Sequence, residues 1–383
     1  MTHETGGVIV VGAGAMGSAA AYYLARSGVR VTAIDRWSPP HAHGSTHGRS
    51  RIIREAYFEH PAYVPLVRRA YDLWDALERE SGLALFRRTG GLTIGPPDGT
   101  LVRGALDSAR THDVEHELLT AAEMARRFPA LRPERDMAGV FEHRAGVLCP
   151  ERCVTAMREG ARLRGATFRD DERVLGWEAA EDSVRVATDR GEYRARRLVL
   201  CAGAWLGALA PALGPRLRVE RQVMQWHEPR VDSAMLDADH LPVTLIEHDG
   251  GHMFYVIPDL GDGLKAAIHH DGPAVDPDHA AAPVTDAESA AVTALVERFV
   301  PDAAGPIVDR ATCLYTNTPD GHFVVDTHPG APAVLVVSAC SGHGFKFAAA
   351  IGEAVADLTV RGATTADLSP FGLARFARAA GAS

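Results

Sequence analysis

The stretch V-I-V-V-G-A-G-A-M-G-S-A-A-A-Y-Y-L-A-R-S-G, residues 8–28, constrains this chain more than any other. Val8 to Val11 is a short β-branched run suited to a strand buried on both faces. Gly12, Gly14 and Gly17 follow as G-x-G-x-x-G, and an Ala-rich, helix-favouring segment runs on to Gly28, a natural helix stop. In such an arrangement the first glycine makes a tight turn and the second lets backbone approach a pyrophosphate. The third lets helix pack on strand. The start of the helix offers unpaired N–H groups and the positive end of its dipole to phosphate. A second apolar run, Val29 to Ile34, ends in Asp35, placed to accept hydrogen bonds from a ribose. Strand, glycines, helix, strand and acid in that order define a dinucleotide site.

The bulk properties set the surroundings of that site. At 383 residues the chain exceeds one small domain, and two are expected. Hydrophobic residues at 46% and charged residues at 23% describe a soluble globular protein with ample core. A formal charge of −9 argues against a nucleic-acid partner. No apolar run reaches bilayer-spanning length, and Met1 to Gly7 lack the basic-then-apolar pattern of a signal peptide. The cytoplasm is therefore the expected compartment, with no membrane partner. Cys149, Cys153, Cys201, Cys313 and Cys340 are scattered without metal-ligand spacing, so no metal site is expected.

Along the chain, residues 37–54 are rich in Pro, Gly, Ser and His and read as a loop leading directly from the nucleotide site. The spacing of Leu66, Ala70, Leu73, Trp74 and Leu77 predicts a helix over 61–81. A strand over Phe86 to Ile94, a helix around 100–112 and a capping box at Thr120 and Glu123 follow. Gly146 to Pro150 return the chain to the first domain, with a helix over 151–164. Residues 172–200 supply two strands of a meander and a buried strand, Leu198 to Cys201, which runs into the turn C-A-G-A-W. Residues 217–230, 243–248, 252–258 and 264–269 alternate as antiparallel strands. A polar loop, Pro273 to Pro283, and a helix over 285–299 come next. Strands at Phe323 to Asp326 and Val334 to Ser338, a turn at Gly342 to Gly344 and a helix from Phe345 to Leu358 repeat the opening motif in outline. The expected fold is α/β. A Rossmann-like nucleotide domain takes residues 1–85, 147–216 and 317–383, and an antiparallel-sheet substrate domain takes 86–146 and 217–316.

A few residues carry chemistry. The chain has only two lysines, Lys265 and Lys346, among 40 Lys and Arg. A compact ammonium stabilises a small developing anion where a planar guanidinium does not fit, although isolated lysines also serve simply as solvated charges. Arg49, Arg51 and Arg54 lie in the loop after the first βαβ unit, and Lys346 lies just past the Gly342-His343-Gly344 turn. An Arg fork and an ammonium converging on one site suit a carboxylate; Arg clusters also serve cofactor phosphates. Cys313, on a predicted strand, reads either as a packing thiol or as a tether for a cofactor. His41, His43, His47, His269, His270 and His343 form no triad or metal pattern, and there is no G-x-S-x-G, paired-carboxylate motif or P-loop.

Taken together, several motifs resemble one family. They are G-A-G-A-M-G at 12–17, G-S-T-H-G-R-S-R-I-I-R at 44–54, Y-V-P-L at 63–66 and C-A-G-A-W at 201–205. G-L-K at 263–265, C-L-Y-T-N-T-P-D at 313–320 and S-G-H-G-F-K-F at 341–347 complete the set. Spread in order over nearly the whole chain, they resemble the monomeric sarcosine oxidase and N-methyltryptophan oxidase family. The resemblance implies a glutathione-reductase-like, D-amino-acid-oxidase-type fold with FAD held as an 8α-S-cysteinyl thioether, for which Cys313 is the matching residue. It implies that Lys265, near flavin N(5), promotes reaction with oxygen, and that Arg54 and Lys346 hold a substrate carboxylate. His47 and Arg51 match positions lining the flavin, and His269 and Tyr315 match positions around the substrate amine. The turn at Gly342 to Gly344 is expected to aim N–H groups and a helix dipole at the flavin's N(1)–C(2)=O edge. The implied reaction is hydride transfer from the α-amine carbon of a secondary α-amino acid, N-methyl or cyclic, with oxygen reduced to hydrogen peroxide by a monomer.

The chain departs from that pattern at Arg49, where an acid is usual, at Thr46, where a His is usual, and over Asp259 to Asp262. At Cys340 an aromatic is usual, so a wider pocket near the flavin is expected. Three other readings stand beside the first: a biosynthetic oxidase or desaturase of a cyclic imino acid, an NAD-dependent dehydrogenase, and a non-catalytic nucleotide-binding module.

Overall fold

The β-branched run at the start forms the central strand of a six-stranded sheet. In spatial order the strands are Thr167–Arg169, Val31–Ile34, Val8–Val11, Arg197–Leu200, Ala331–Ser338 and Val324–His328; the first five are parallel and the last is antiparallel. Val8 and Val10 point into one apolar core while Ile9 and Val11 point into another, so the strand is buried on both sides. On the first face, helix Ala15–Arg26 packs between helices Pro150–Arg162 and Ala348–Arg361, and helix Tyr63–Ser81 closes against the latter. The second face is covered by an antiparallel meander of three strands, Val174–Ala179, Val184–Thr188 and Glu192–Ala195. Thr2–Glu4 adds to the meander's edge in parallel. The sequence reading expected two meander strands and missed both Glu192–Ala195 and the edge strand Thr167–Arg169, each too short to show a period. The computed structural model describes residues 2–213, 216–230, 234–280 and 282–379. Met1 and residues 380–383, at the ends of the expected first domain, and residue 281, within the expected polar loop, lie outside the described residues.

A second, eight-stranded sheet runs in the order Ile307–Asn317, Arg218–His227, Leu264–His269, His252–Ile257, Val243–His248, Gly91–Gly95, Ala138–Glu142 and Glu117–Thr120. Its neighbours are antiparallel except Val243–His248 with Gly91–Gly95. The pleat divides its residues cleanly. Ile246, Phe254, Val256, Leu264 and Ala266 pack in a core with Val292, Val296 and Phe299 of helix Asp286–Phe299. The alternate residues Leu245, Tyr255 and Ile257 face the other way, into a cavity, as do Cys313 and Tyr315 of the edge strand. The expected single strand over Phe86 to Ile94 is two, Phe86–Arg88 and Gly91–Gly95, broken where Gly90 takes φ +71°. Phe86–Arg88 and Arg51–Ile53 both pair with Gly146–Leu148, so a small sheet is hydrogen-bonded across the expected boundaries at 85/86 and 146/147.

Candidate active site

Parallel strands deliver their carboxyl ends to one edge of the sheet, the usual place for a ligand in such folds. Here the glycine turn after Val11, the C-A-G-A-W turn after Leu200 and the turn after Ser338 meet, and their residues line one cavity of about 360 Å³. Gly12 sits at φ +86°, and a β-carbon there would lie 2.4 Å from the Cys201 carbonyl oxygen. At Gly17 a β-carbon would lie 1.7 Å from the oxygen of Gly12, which is the close helix–strand approach expected of the third glycine. Gly14 stands in the cavity wall, where an added β-carbon would meet only Thr46 Oγ1, at 3.4 Å. The Asp35 carboxylate accepts from the amides of Ala13 (2.6 Å) and Trp37 (2.9 Å), bracing the glycine turn while standing in the cavity wall. That brace is a use the motif alone does not disclose; the expected ribose contact remains open to the same carboxylate.

From Trp37 and Trp205 at this end, the cavity extends beneath Arg51 and Cys313 to His269, Tyr315, Arg54 and Lys346. The last two are buried cations. Arg54 donates to Glu59 Oε2 (2.7 Å) and to the Ala56 carbonyl (3.0 Å), with its guanidinium over the rings of Tyr57 and Phe58. Glu142 fixes the chain just beyond, its carboxylate accepting from the amides of Glu55 and Ala56 at 2.8 Å. Burial opposes charge on Glu59, but Arg54, His343 and Lys346 together hold its carboxyl below the ordinary range. Its other oxygen, Oε1, is buried without a hydrogen-bond partner.

Lys346 Nζ donates to the His343 carbonyl (2.8 Å) and the Tyr57 hydroxyl (3.3 Å). His343 Nε2 lies 3.0 Å from the Gly321 carbonyl, which can only accept, so Nε2 carries the proton and Nδ1 accepts from Tyr57 O–H at 2.7 Å. Burial, then the nearby Arg54, brings the Lys346 ammonium down to about 7, and burial holds His343 near 4. Across the cavity His269 Nδ1 and Tyr315 Oη are 3.1 Å apart. Burial pushes the imidazole well below its ordinary range, helped by His270, His343 and Lys346, and pushes the phenol up. A neutral pair therefore shares the cavity with Arg54, a permanent cation, and with Lys346, which is charged only below about 7.

Cys313, on Ile307–Asn317, is in the cavity wall, its thiol pushed up by burial against the pull of Arg51 and Lys265. Neither Lys265 nor His47 forms part of the wall: Lys265 lies behind it, and His47 is buried with Nε2 unpartnered. Arg51 is in the wall, but its guanidinium serves the loop, donating to the carbonyls of Ser50 (2.7 Å), Ser45 (2.8 Å) and His47. Arg49 turns away to Asp262 (3.3 Å) and Asp309, so two departures from the family pattern, Arg49 and Asp262, meet as an ion pair outside the cavity. The turn Gly342 to Gly344 reaches the cavity, yet its His343 amide is spent on Cys340 O (2.9 Å). A 3₁₀ turn, Phe345–Phe347, moves the start of the helix to Ala348. Gly342 itself is required there: at φ +77°, a β-carbon would come within 3 Å of His270, Tyr315 and His269. Thr46 and Cys340 do line the wall, accepting from the amides of Ala15 and Thr316, each at 3.3 Å.

Glu59, Tyr57 and Glu142 were missed from sequence. No spacing ties Glu59 to Arg54, and a lone acid in a loop carries no periodic signal.

A positive-φ glycine turn at a helix start, an acid at the second strand's end and a long cavity leading away from them fit a flavin dinucleotide. A family model described as DAO, FAD dependent oxidoreductase, matches residues 7–358. The chain belongs to this family. With that, the NAD-dependent alternative falls. This FAD-dependent oxidoreductase is 41% identical to a monomeric sarcosine oxidase of Streptomyces avermitilis, over 97% of the chain and 98% of that protein. It is 35% identical to an N-methyl-L-tryptophan oxidase of Yersinia pestis, over 96% of the chain and 99% of that protein. Among solved structures, NikD, an unusual amino acid oxidase essential for nikkomycin biosynthesis, matches 97% of each chain with TM-score 0.84 and 25% identity. No helix among the described residues is long and apolar enough to cross a membrane.

Proposed function

We propose that this FAD-dependent oxidoreductase oxidises a secondary α-amino acid, N-methyl or cyclic, with FAD tethered through its 8α carbon to Cys313 Sγ. FAD, when bound, accepts a hydride equivalent from the carbon next to the amine nitrogen and passes two electrons to oxygen. The balance is then an amine losing one C–H hydrogen and one N–H hydrogen to become an imine, and oxygen gaining both as hydrogen peroxide. Arg54 and Lys346 grip the substrate carboxylate, and this holds the amine end towards His269 and Tyr315. The neutral His269–Tyr315 pair leaves the amine free of a competing charge, so the amine can be taken up unprotonated. Lys265, whose ammonium burial holds well below its ordinary range, supplies positive charge near the site of oxygen reduction while it keeps its proton.

The observation that carries this reading is Glu59. A carboxylate already sits on the Arg54 fork at 2.7 Å, within the field of Lys346, in a cavity wall otherwise lined here by neutral groups. Identity to the sarcosine and N-methyltryptophan oxidases supports the amine class. The likeness to NikD favours, as a second reading, a cyclic imino acid processed in biosynthesis. Peroxide release across N-methyl and cyclic amino acids and their decarboxylated analogues tests both. The acids are expected to react and the analogues to fail; equal rates would remove the carboxylate grip. A bound flavin that no amine reduces would favour the non-catalytic module.

A further inference from the structure

Lys265 lies on the strand Leu264–His269 with only 2% of its surface exposed. Its ammonium rests on neutral groups: Nζ donates to the carbonyls of Gly48 (2.7 Å) and Ser50 (3.0 Å). Those two carbonyls flank Arg49. Ser50 N donates back to Gly48 O at 2.7 Å, and Arg49 sits between them at φ +67°. A three-residue turn closed in this way around a positive φ is the strained form of the γ-turn. A residue with a β-carbon stays in it only when its surroundings insist.

Here they do. The Arg49 guanidinium pairs with Asp262 (3.3 Å) and Asp309 and lies 4.6 Å over the Trp226 ring. Glu151 Oε1 accepts from the amides of Gly48 (2.8 Å) and Arg49 (3.0 Å). Trp226 is paired in register with Lys265 on one side and Asp309 on the other, and its ring is 5.3 Å from Lys265 Nζ. One indole thus serves both cations, the half-exposed Arg49 and the buried Lys265.

We propose that Arg49 is a positioning residue for Lys265: the clamp of Asp262, Asp309 and Trp226 on its side chain keeps the turn strained, and the strained turn keeps two carbonyls aimed at the ammonium. Its effect on turnover rests on the reading of Lys265 as the charge that assists oxygen reduction. Release of the clamp lets Arg49 relax to negative φ, which rotates both flanking peptide planes. The ammonium is then buried with too few acceptors, a state that lysine leaves by losing its proton. The charged and titratable groups around it are Arg51, Cys313, Glu151, Asp262 and His47.

The scarcity of lysine supplies the test. Isotopically labelled lysine gives side-chain signals from Lys265 and Lys346 alone, and Lys265→Met assigns them. Burial already holds the Lys265 ammonium well below its ordinary range, so its signal is followed through a pH titration: Arg49→Ala is expected to lower the titration midpoint of the Lys265 signal and leave that of Lys346 unchanged. Reoxidation of the reduced holoenzyme by oxygen is expected to slow by about tenfold, the order of one lost charge-assisted hydrogen bond. Anaerobic reduction by substrate is expected to keep its wild-type rate. Arg49→Gly, at ease at positive φ without any clamp, is expected to restore the Lys265 midpoint. The pair Asp262→Asn and Asp309→Asn, which leaves Arg49 in place, is expected to reproduce Arg49→Ala. An unmoved Lys265 midpoint in Arg49→Ala overturns the proposal. So does an Arg49→Gly that behaves like Arg49→Ala, because the effect would then belong to the lost charge and not to the backbone. Wild-type reoxidation in Lys265→Met removes the oxygen reading alone, and the lysine signals still decide the positioning of Lys265.

Discussion

The two ends of the cavity are built on opposite principles. At the nucleotide end, a few consecutive residues set the geometry through backbone conformation, and Gly12 and Gly17 leave no room for a side chain. At the amine end, Arg54, Glu59, His269, Tyr315 and Lys346 come from separate segments and are held by burial and charge. The first end tolerates no atom more; the second depends on which groups carry protons. Steric exclusion is all-or-none, while a balance of buried charges is adjustable.

The contrast can be broken most severely at Gly17. Gly17→Ala puts a β-carbon where the Gly12 oxygen already stands, so the helix must lift off the strand, and near-complete loss of bound flavin is expected in the visible absorbance of the purified protein. Retained flavin would show that the nucleotide end is as adjustable as the other. Next comes the tether. Cys313→Ser is expected to release its flavin into the supernatant on acid precipitation, and the native protein is expected to keep colour in the pellet; colour retained by the variant would move the attachment elsewhere.

A subtler change is expected from pH. Lys346 loses its proton near 7, so an acid inhibitor without an amine should bind more weakly as pH rises through that value. A loss of about tenfold matches one charge-assisted hydrogen bond. Lys346→Arg, which keeps its charge, should flatten the profile, and a flat native profile would contradict the assignment. The same group makes folding stability rise with pH between about 7 and 10.5, because there the unfolded chain holds a proton that the folded chain does not. The smallest effect is expected at Glu59. Glu59→Gln removes the resident competitor for Arg54, and the same inhibitor should bind about threefold tighter, because breaking a buried pair already carries most of its own cost in the free protein. Weaker binding would mean that Glu59 organises the fork and does not compete for it.

The same division governed what the sequence could disclose. The glycine turn, the strand Val8–Val11 and the helix after it are local, and so is the capping box at Thr120. Hydrophobic alternation also marked four strands of the large sheet, Arg218–His227, Val243–His248, His252–Ile257 and Leu264–His269, but not the shorter Ala138–Glu142 and Glu117–Thr120. The residues named for the amine end came from motif resemblance, and the structure gathers Arg54, Lys346, His269, Tyr315 and Cys313 around one cavity. What stayed hidden depends on side-chain direction across the chain. Arg49 turning outward, Lys265 standing behind the wall and Glu59 seated on Arg54 are long-range pairings that leave no trace in spacing.

The pleat of the large sheet has an evolutionary corollary. Because odd and even positions of its strands serve different faces, an exchange at Leu245, Tyr255 or Ile257 acts on the cavity and on the small cluster around Val147 and Val243, and leaves Ile246, Phe254 and Val256 on the other face in place. A lineage can redraw the shape of the molecule it accepts one alternate residue at a time, with the larger core behind the sheet left intact.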